Sequence, residues 1–241
     1  MRRRALLLFT RSPEAEARTK GFDRRNAAPL FGALLESWVR LARETATELV
    51  VASPAPCRRR LEESGLAPGA RFLTQAGPTF GERLGAATRE AFALGFDIVA
   101  VAGGDAPAIE AGELRRAFAE AEAGAVVLGP SEDGGVYLIV TGSRGADLGR
   151  SLAPRDPRAL RRLLSAVADR GGRVVLLPRR SEIDSPLDAA RSRRRADPVW
   201  AAYRFLLGLA LRARTADERS GTHGAAAPLR RQPPRGPPPA A

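Results

Sequence analysis

The chain has 241 residues, is 44% hydrophobic and 27% charged, and carries a formal net charge of +12. That length suffices for one large domain with a substantial core, and no apolar run approaches the ~20 residues that cross a bilayer. One cysteine, Cys57, and one histidine, His223, exclude a disulfide framework within the chain and cysteine/histidine zinc sites, and leave a serine–histidine triad without support. Catalysis therefore has to use carboxylates, hydroxyls, arginines, backbone amides or a metal held by oxygen.

The positive charge is unevenly spread. Residues 1–150 carry 20 basic and 19 acidic side chains, whereas residues 151–241 carry 19 and 8. Lys20 is the only lysine among the 39 basic residues. Such an arginine excess, with abundant Ala, Gly and Pro, is what a GC-rich genome produces through codon bias. No RNA-binding pattern of aromatics on adjacent strands accompanies it, so nucleic acid is not the expected partner. The basic half still offers attraction to anionic substrates or phospholipid headgroups, leaving peripheral membrane contact open. The expected compartment is the cytoplasm.

The opening "MRRRALLLFTRS" has a basic start and an apolar patch but no small-residue cleavage site, and reads as a first strand rather than a signal peptide. Further strands are expected at "ELVVAS" (48–53), "RFLTQ" (71–75), "DIVAVAG" (97–103), "AVVLGP" (125–130), "VYLIVTG" (136–142) and "RVVLLP" (173–178), after "ALLLFT" (5–10). Most are continuously apolar, as in a sheet buried on both faces. Helical apolar spacing marks Phe31–Leu41, Leu84–Phe92, Leu114–Ala121 and Leu160–Val167. The alternation predicts a three-layer, Rossmann-like α/β domain with a mostly parallel sheet. The pair 125–130 and 136–142 leaves no room for a helix, so the sheet is expected to be mixed there. The domain is expected over 1–195, followed by an apolar helix at 196–214 packed on it or on an interface. A Pro/Arg/Ala-rich tail at 215–241 lacks the residues for a core and is expected to be disordered.

In an open α/β sheet, ligands sit beyond the carboxyl ends of the strands. Gly103, Gly104 and Asp105 close one strand, and Glu132, Asp133, Gly134 and Gly135 follow another. Glu182 and Asp184 follow a third. For Asp105 and "EDGG" a plain turn is the competing explanation. Asp184 is freer, because Ser185, Pro186 and Asp188 already make a helix cap. Two carboxylates from separate strands can hold one Mg²⁺ or Mn²⁺ and leave positions for water and phosphate oxygens. The glycines allow close approach of a ligand, and Arg179 and Arg180, or Arg18 and Lys20, are placed to clamp phosphate.

The ordered set "LLLFTRSP", "GPTFGERLGAA", "GGDAPAI", "VVLGPSEDGGVYLI" and "EIDSPLD" resembles a family of bacterial glycosyltransferase-A-like proteins, the radical-SAM/selenodomain-associated transferases. The resemblance spans roughly residues 5–190 and implies a nucleotide-diphospho-sugar transferase fold, shared with nucleotidyltransferases. It implies that Asp105 and Pro107 form the metal-binding Asp-x-Pro, that Asp184 gives the second metal ligand, and that Asp133 contacts a hydroxyl of sugar or acceptor. The family's Lys-Thr-Arg-Leu run after the first strand is replaced by "EAEARTKGF", where Arg18, Thr19 and Lys20 stand in. Its Ser-Asp-Cys-Pro appears as Gly-Asp-Ala-Pro, and "LAPRDPRAL" replaces a Trp-Ser-Thr-like segment.

Three functions follow as expectations. The first is a metal-dependent glycosyltransferase acting on a nucleotide-diphospho-sugar and an unidentified acceptor. The second is a nucleotidyltransferase that joins an NTP to a phosphorylated molecule and releases pyrophosphate. It is ranked lower because a triphosphate needs a glycine-rich basic loop after the first strand. The third is a non-catalytic binding or scaffold protein with a basic C-terminal half.

Overall fold

Strands and helices alternate along the chain as the apolar runs predict. The computed structural model describes residues 2–22, 24–106, 108–183 and 185, without the side chains of 24–27. Its strands are β1 (Arg4–Phe9), β2 (Glu48–Ser53), β3 (Arg71–Thr74), β4 (Ile98–Gly103), β5 (Ala125–Pro130), β6 (Val136–Gly142) and β7 (Arg173–Leu176). The helices are α1 (Pro13–Thr19), α2 (Arg24–Glu44), α3 (Ala55–Ser64), α4 (Phe80–Ala93), α5 (Ala111–Glu122) and α6 (Ala159–Ala168). Pro107, Asp184 and the expected helix and tail beyond residue 195 lie outside the described residues. Among the described residues no helix is long and apolar enough to cross a membrane.

The strands form one seven-stranded sheet in the order β3-β2-β1-β4-β6-β5-β7. All pairings are parallel except those of β6, which runs against both β4 and β5. The reason is local. Residues 131–135 between β5 and β6 are too few for a crossover helix, so the chain must turn back on itself. The α5 crossover carries β5 one place beyond β4, and β6 fills the slot between them. This is the mixed region the sequence predicts.

Alternation along the buried strands builds two cores. Leu6 and Leu8 of β1 point to the layer of α2, α3 and α5, where they meet Trp38, Leu61, Leu114 and Phe118. Ala5 and Leu7 point the other way, to Leu84 and Ala87 of α4 and Leu163 and Val167 of α6. The α-layers thus sandwich the sheet, as the period-two pattern of strands and 3.6-residue pattern of helices require. At about 25 cal/mol per Å² of apolar surface, burial of this kind is the main stabilising term.

Two helices were not expected, α1 and α3. Neither carries an apolar stripe: Leu61 is the buried residue of α3, which ends on Gly65 in the left-handed conformation (φ 67°). The seven residues of α1 bury Pro13, Ala15, Glu16 and Ala17. Helix α1 packs its alanine side on Leu30, Phe31 and Leu34 of α2, with Ile183 completing a small third cluster. Through Ile183, that cluster joins the segment after β7 to the beginning of α2.

Candidate active site

Because β6 alone is reversed, the ends of β1, β4, β5 and β7 and the start of β6 share one edge of the sheet. The strand order changes direction between β1 and β4: β2 and β3 lie on one side, the later strands on the other. Diverging connections leave a crevice there. A cavity of about 410 Å³ occupies it, lined by residues that include Thr10, Glu16, Lys20, Gly103, Asp105, Asp133 and Glu182.

Asp105 is placed by contacts on several sides. The Trp38 indole N–H donates to the Ala106 carbonyl at 2.8 Å, and the Ile183 amide donates to the Asp105 carbonyl at 3.3 Å. The carboxylate itself accepts from Lys20, whose Nζ lies 2.6 Å from Oδ2. The same ammonium donates to the Ile183 carbonyl at 2.7 Å. The Lys20 side chain is 5% exposed and that of Asp105 27%. Lys20 closes α1 at its C-cap, just before Gly21 with φ 75°. One buried cation therefore ties α1, the end of β4 and the segment leading to Asp184.

Glu16, one turn earlier on α1, enters the same cavity and is a site residue the sequence reading missed. Its Oε1 accepts from the Arg11 amide at 3.1 Å and faces the Arg11 guanidinium at 3.3 Å. Burial pushes the Glu16 carboxyl above its ordinary pKa, and the charge of Asp105 pushes it further, against the pull of Arg11 and Lys20. Two carboxylates share a desolvated wall.

The β5–β6 connection is both a turn and a wall. The Asp133 carboxylate accepts from the Gly135 amide at 2.9 Å, and Gly134 takes φ 92°. Asp133 remains exposed and lines the cavity. On the neighbouring strand end, the Ser131 hydroxyl donates to Glu182 at 2.6 Å. Opposite these polar groups the cavity has an apolar floor of Phe9, Phe80, Leu84, Val101, Ile139 and Leu152. Phe9 and Phe80 meet edge to face at 5.4 Å.

The sequence-predicted residues divide accordingly. Thr19, Lys20, Gly103, Asp105, Asp133 and Gly135 line the cavity together. Arg18 is exposed and outside the lining; buried Gly104 and half-buried Gly134 are also outside it. The glycines also have packing reasons. A side chain at Gly104 would strike Thr10, one at Gly103 would strike the Asp105 carboxylate, and one at Gly134 the Pro157 carbonyl. Arg179 and Arg180 do not reach the cavity: Arg179 donates to the Ser131 carbonyl at 3.1 Å, and Arg180 pairs with Glu113. The cations that do line it include Lys20 and Arg11. The segment "LAPRDPRAL" contributes Leu152, Arg155 and Asp156 to the lining. A search for acidic residues alone would find Glu16; its signal is a carboxylate in the first turn after β1.

A divalent cation such as Mg²⁺ or Mn²⁺ needs hard oxygen donors and keeps several waters. Asp105, Glu16 and Glu182 offer such oxygens. Among the described residues no three acidic, histidine or cysteine side chains converge to enclose an ion by themselves. The donor set therefore fits an ion shared between Asp105, water and a ligand's phosphate oxygens, rather than a closed protein cage.

Comparison with known proteins agrees with this architecture. The profile of the family DUF2064, described as uncharacterized protein conserved in bacteria, matches residues 37–154, just under half of the chain. No curated protein matches the sequence significantly. Among solved structures, a provisionally named nucleotide-diphospho-sugar transferase from Desulfovibrio desulfuricans G20 is 22% identical, with a TM-score of 0.71 over 91% of this chain and 98% of its own. A nucleotidyl transferase from Methanothermobacter is 21% identical, with a TM-score of 0.53 over 79% of this chain and 96% of its own. A cytidylyltransferase from Leptospira borgpetersenii is 13% identical, with a TM-score of 0.51 over 89% and 96%. At these identities the likeness concerns the backbone, and the chain has the nucleotide-diphospho-sugar transferase fold.

Proposed function

We propose that this protein is a metal-dependent transferase that uses a nucleotide-activated donor, and specifically a glycosyltransferase acting on a nucleotide-diphospho-sugar. The observation that carries the reading is the crevice between β1 and β4, where Asp105 and the buried Lys20 ammonium face a cavity of about 410 Å³. Carboxylates and cations set side by side at a switch point suit a diphosphate that arrives with its cation. The resemblance to nucleotide-sugar and nucleotidyl transferase structures supports the general class.

The start of α1 favours a diphosphate over a triphosphate. Helix N-termini hold phosphates through free amides and the positive end of the dipole. Here Pro13 supplies no N–H, and Glu14 and Glu16 place acidic groups in the first turn. The amides of Ala15 and Glu16 already donate to the Ser12 carbonyl at 2.9 Å. A triphosphate cradled there would meet carboxylates rather than amides.

Asp105, with Asp184 as the second ligand, would hold Mg²⁺ or Mn²⁺. When bound, the ion neutralises charge that builds on the departing nucleoside diphosphate. Lys20 and Arg11 offset the remaining phosphate charge. Asp133 accepts a hydrogen bond from a hydroxyl of the sugar or acceptor, and orients it toward the anomeric carbon. Phe9, Phe80 and Leu84 keep water from that end of the cavity. The bond from the anomeric carbon to the phosphate oxygen breaks and its electron pair leaves on the nucleoside diphosphate; the acceptor oxygen bonds to that carbon and gives up its proton to a cavity carboxylate such as Asp133.

Phosphorus NMR of the protein with UDP- and GDP-sugars, NTPs and Mn²⁺ or Mg²⁺ tests this reading. Metal-dependent release of a nucleoside diphosphate is the expected result. Pyrophosphate release from an NTP with a sugar phosphate would establish nucleotidyl transfer instead. Failure to turn over or bind any of these compounds would leave the binding or scaffold role.

A further inference from the structure

Lys20 is the only lysine of the chain, every other side-chain cation at neutral pH being arginine. It is also the most enclosed cation of the cavity. Its ammonium sits 2.6 Å from Asp105 Oδ2 and 2.7 Å from the Ile183 carbonyl oxygen, with the side chain 5% exposed. A point cation held by a carboxylate oxygen and a backbone carbonyl has the coordination chemistry of a bound metal. A lysine can fill such a place and a guanidinium cannot, because its charge is spread over a planar fork. The oxygen it holds belongs to the carboxylate that the proposed reaction assigns to the ion, and the carbonyl it holds is next to the other assigned ligand. A divalent cation on the same carboxylate would lie close to the ammonium, and the two positive charges repel each other there.

We propose that Lys20 holds the place of the metal at Asp105 in the unliganded protein and moves to the donor's diphosphate when nucleotide and metal bind. The inference rests on the functional reading above and adds an order to it. Metal alone must displace the ammonium without offering it a new partner, so it binds weakly. A diphosphate draws the ammonium away and supplies further oxygens, so it opens Oδ2 to the ion. By linkage, the metal then strengthens nucleotide binding by the same factor. Lys20 is accordingly the residue that makes the two ligands cooperative, and α1 with Gly21 behind it is the element that gives way.

The free-ion EPR signal of Mn²⁺ measures this directly. Lys20→Met is expected to bind Mn²⁺ alone at least tenfold more tightly than the wild-type protein. The enhancement produced by UDP or GDP should be correspondingly smaller in the variant. Unchanged or weaker Mn²⁺ binding by Lys20→Met would overturn the proposal. The wild-type protein supplies a second measurement that needs no variant. Lysine labelled with ¹³C at Cε gives one side-chain signal, which should move when Mg²⁺ and the nucleoside diphosphate are both present. A signal that stays in place while both ligands bind would also overturn it. Asp105→Asn separates the two levels. If that variant keeps wild-type Mn²⁺ affinity, or the wild-type protein binds no Mn²⁺ with either nucleotide, the functional reading itself fails.

Discussion

Trp38, in the middle of α2, donates its indole N–H to the carbonyl of Ala106 across 2.8 Å. This bond fixes the residue after Asp105 to a helix that is otherwise committed to the core. Beside it, the Ser37 hydroxyl accepts from the Ala108 amide at 3.4 Å. The turn after β4 is thus held from α2 on one side and from Lys20 and Ile183 on the other.

Replacing Trp38 by Phe keeps most of the apolar volume and removes the donor. A buried carbonyl left without its partner costs about 1–3 kcal/mol. We expect Trp38→Phe to lower unfolding stability in urea by that amount, and to weaken Mn²⁺ binding while the circular dichroism spectrum keeps its shape. Unaltered stability would mean that the carbonyl finds water.

Gly81 lets α4 approach the turn after β6 closely. A Cβ there would lie 2.7 Å from both the Arg150 carbonyl carbon and the Leu152 carbonyl oxygen. Alanine gains about 1 kcal/mol of helix propensity over glycine, while overpacking against backbone costs about 1–3 kcal/mol. Steric cost should win, since neither carbonyl can rotate away. Gly81→Ala is expected to be destabilised by up to about 2 kcal/mol, from the same two terms. It should also displace Leu152 and the lining beside Asp156, a change visible in a crystal structure of the variant.

The Glu16 carboxyl titrates above its ordinary 4.5, chiefly because it is buried and secondly because Asp105 is near. Between that value and the raised one, the folded chain binds more protons than the unfolded chain. Stability therefore falls as pH rises through this window and is fully restored below it. Glu16→Gln removes the titration, so its stability should fall less from pH 4 toward neutrality (a slope measured by urea unfolding at each pH). A wild-type slope retained in the variant would assign the titration to another group.

The fold was readable because its signals are local. The strands at 48–53, 125–130 and 136–142 match β2, β5 and β6 to the residue, and the others differ by one or two residues at their ends. Apolar runs flanked by Gly, Pro or Asp leave little freedom in where a strand stops. The site was only half readable, because its decisive contacts join residues distant in sequence. Lys20 and Asp105 are 85 positions apart, and Arg180 and Glu113 are 67 apart. No spacing rule tells which cation meets which carboxylate. Arg180 looked available for phosphate and is spent on Glu113, whereas Glu16, in a segment without apolar patterning, is buried. Helix α1 was missed for the same reason, since its buried side is built from alanine and a glutamate rather than large apolar residues.

The central claim, a metal-assisted site for a nucleotide-activated sugar built on Asp105, is tested most directly by thermal unfolding. The wild-type protein and Asp105→Asn would be heated with UDP- and GDP-sugars, each with and without Mn²⁺. A ligand at 100 times its dissociation constant contributes about 2.7 kcal/mol, or about 5–10 °C in Tm for a chain of this size. The account predicts such a rise for one class of sugar nucleotide, only with Mn²⁺ present, and its loss in Asp105→Asn. An equal rise in Asp105→Asn, or one independent of Mn²⁺, would contradict it.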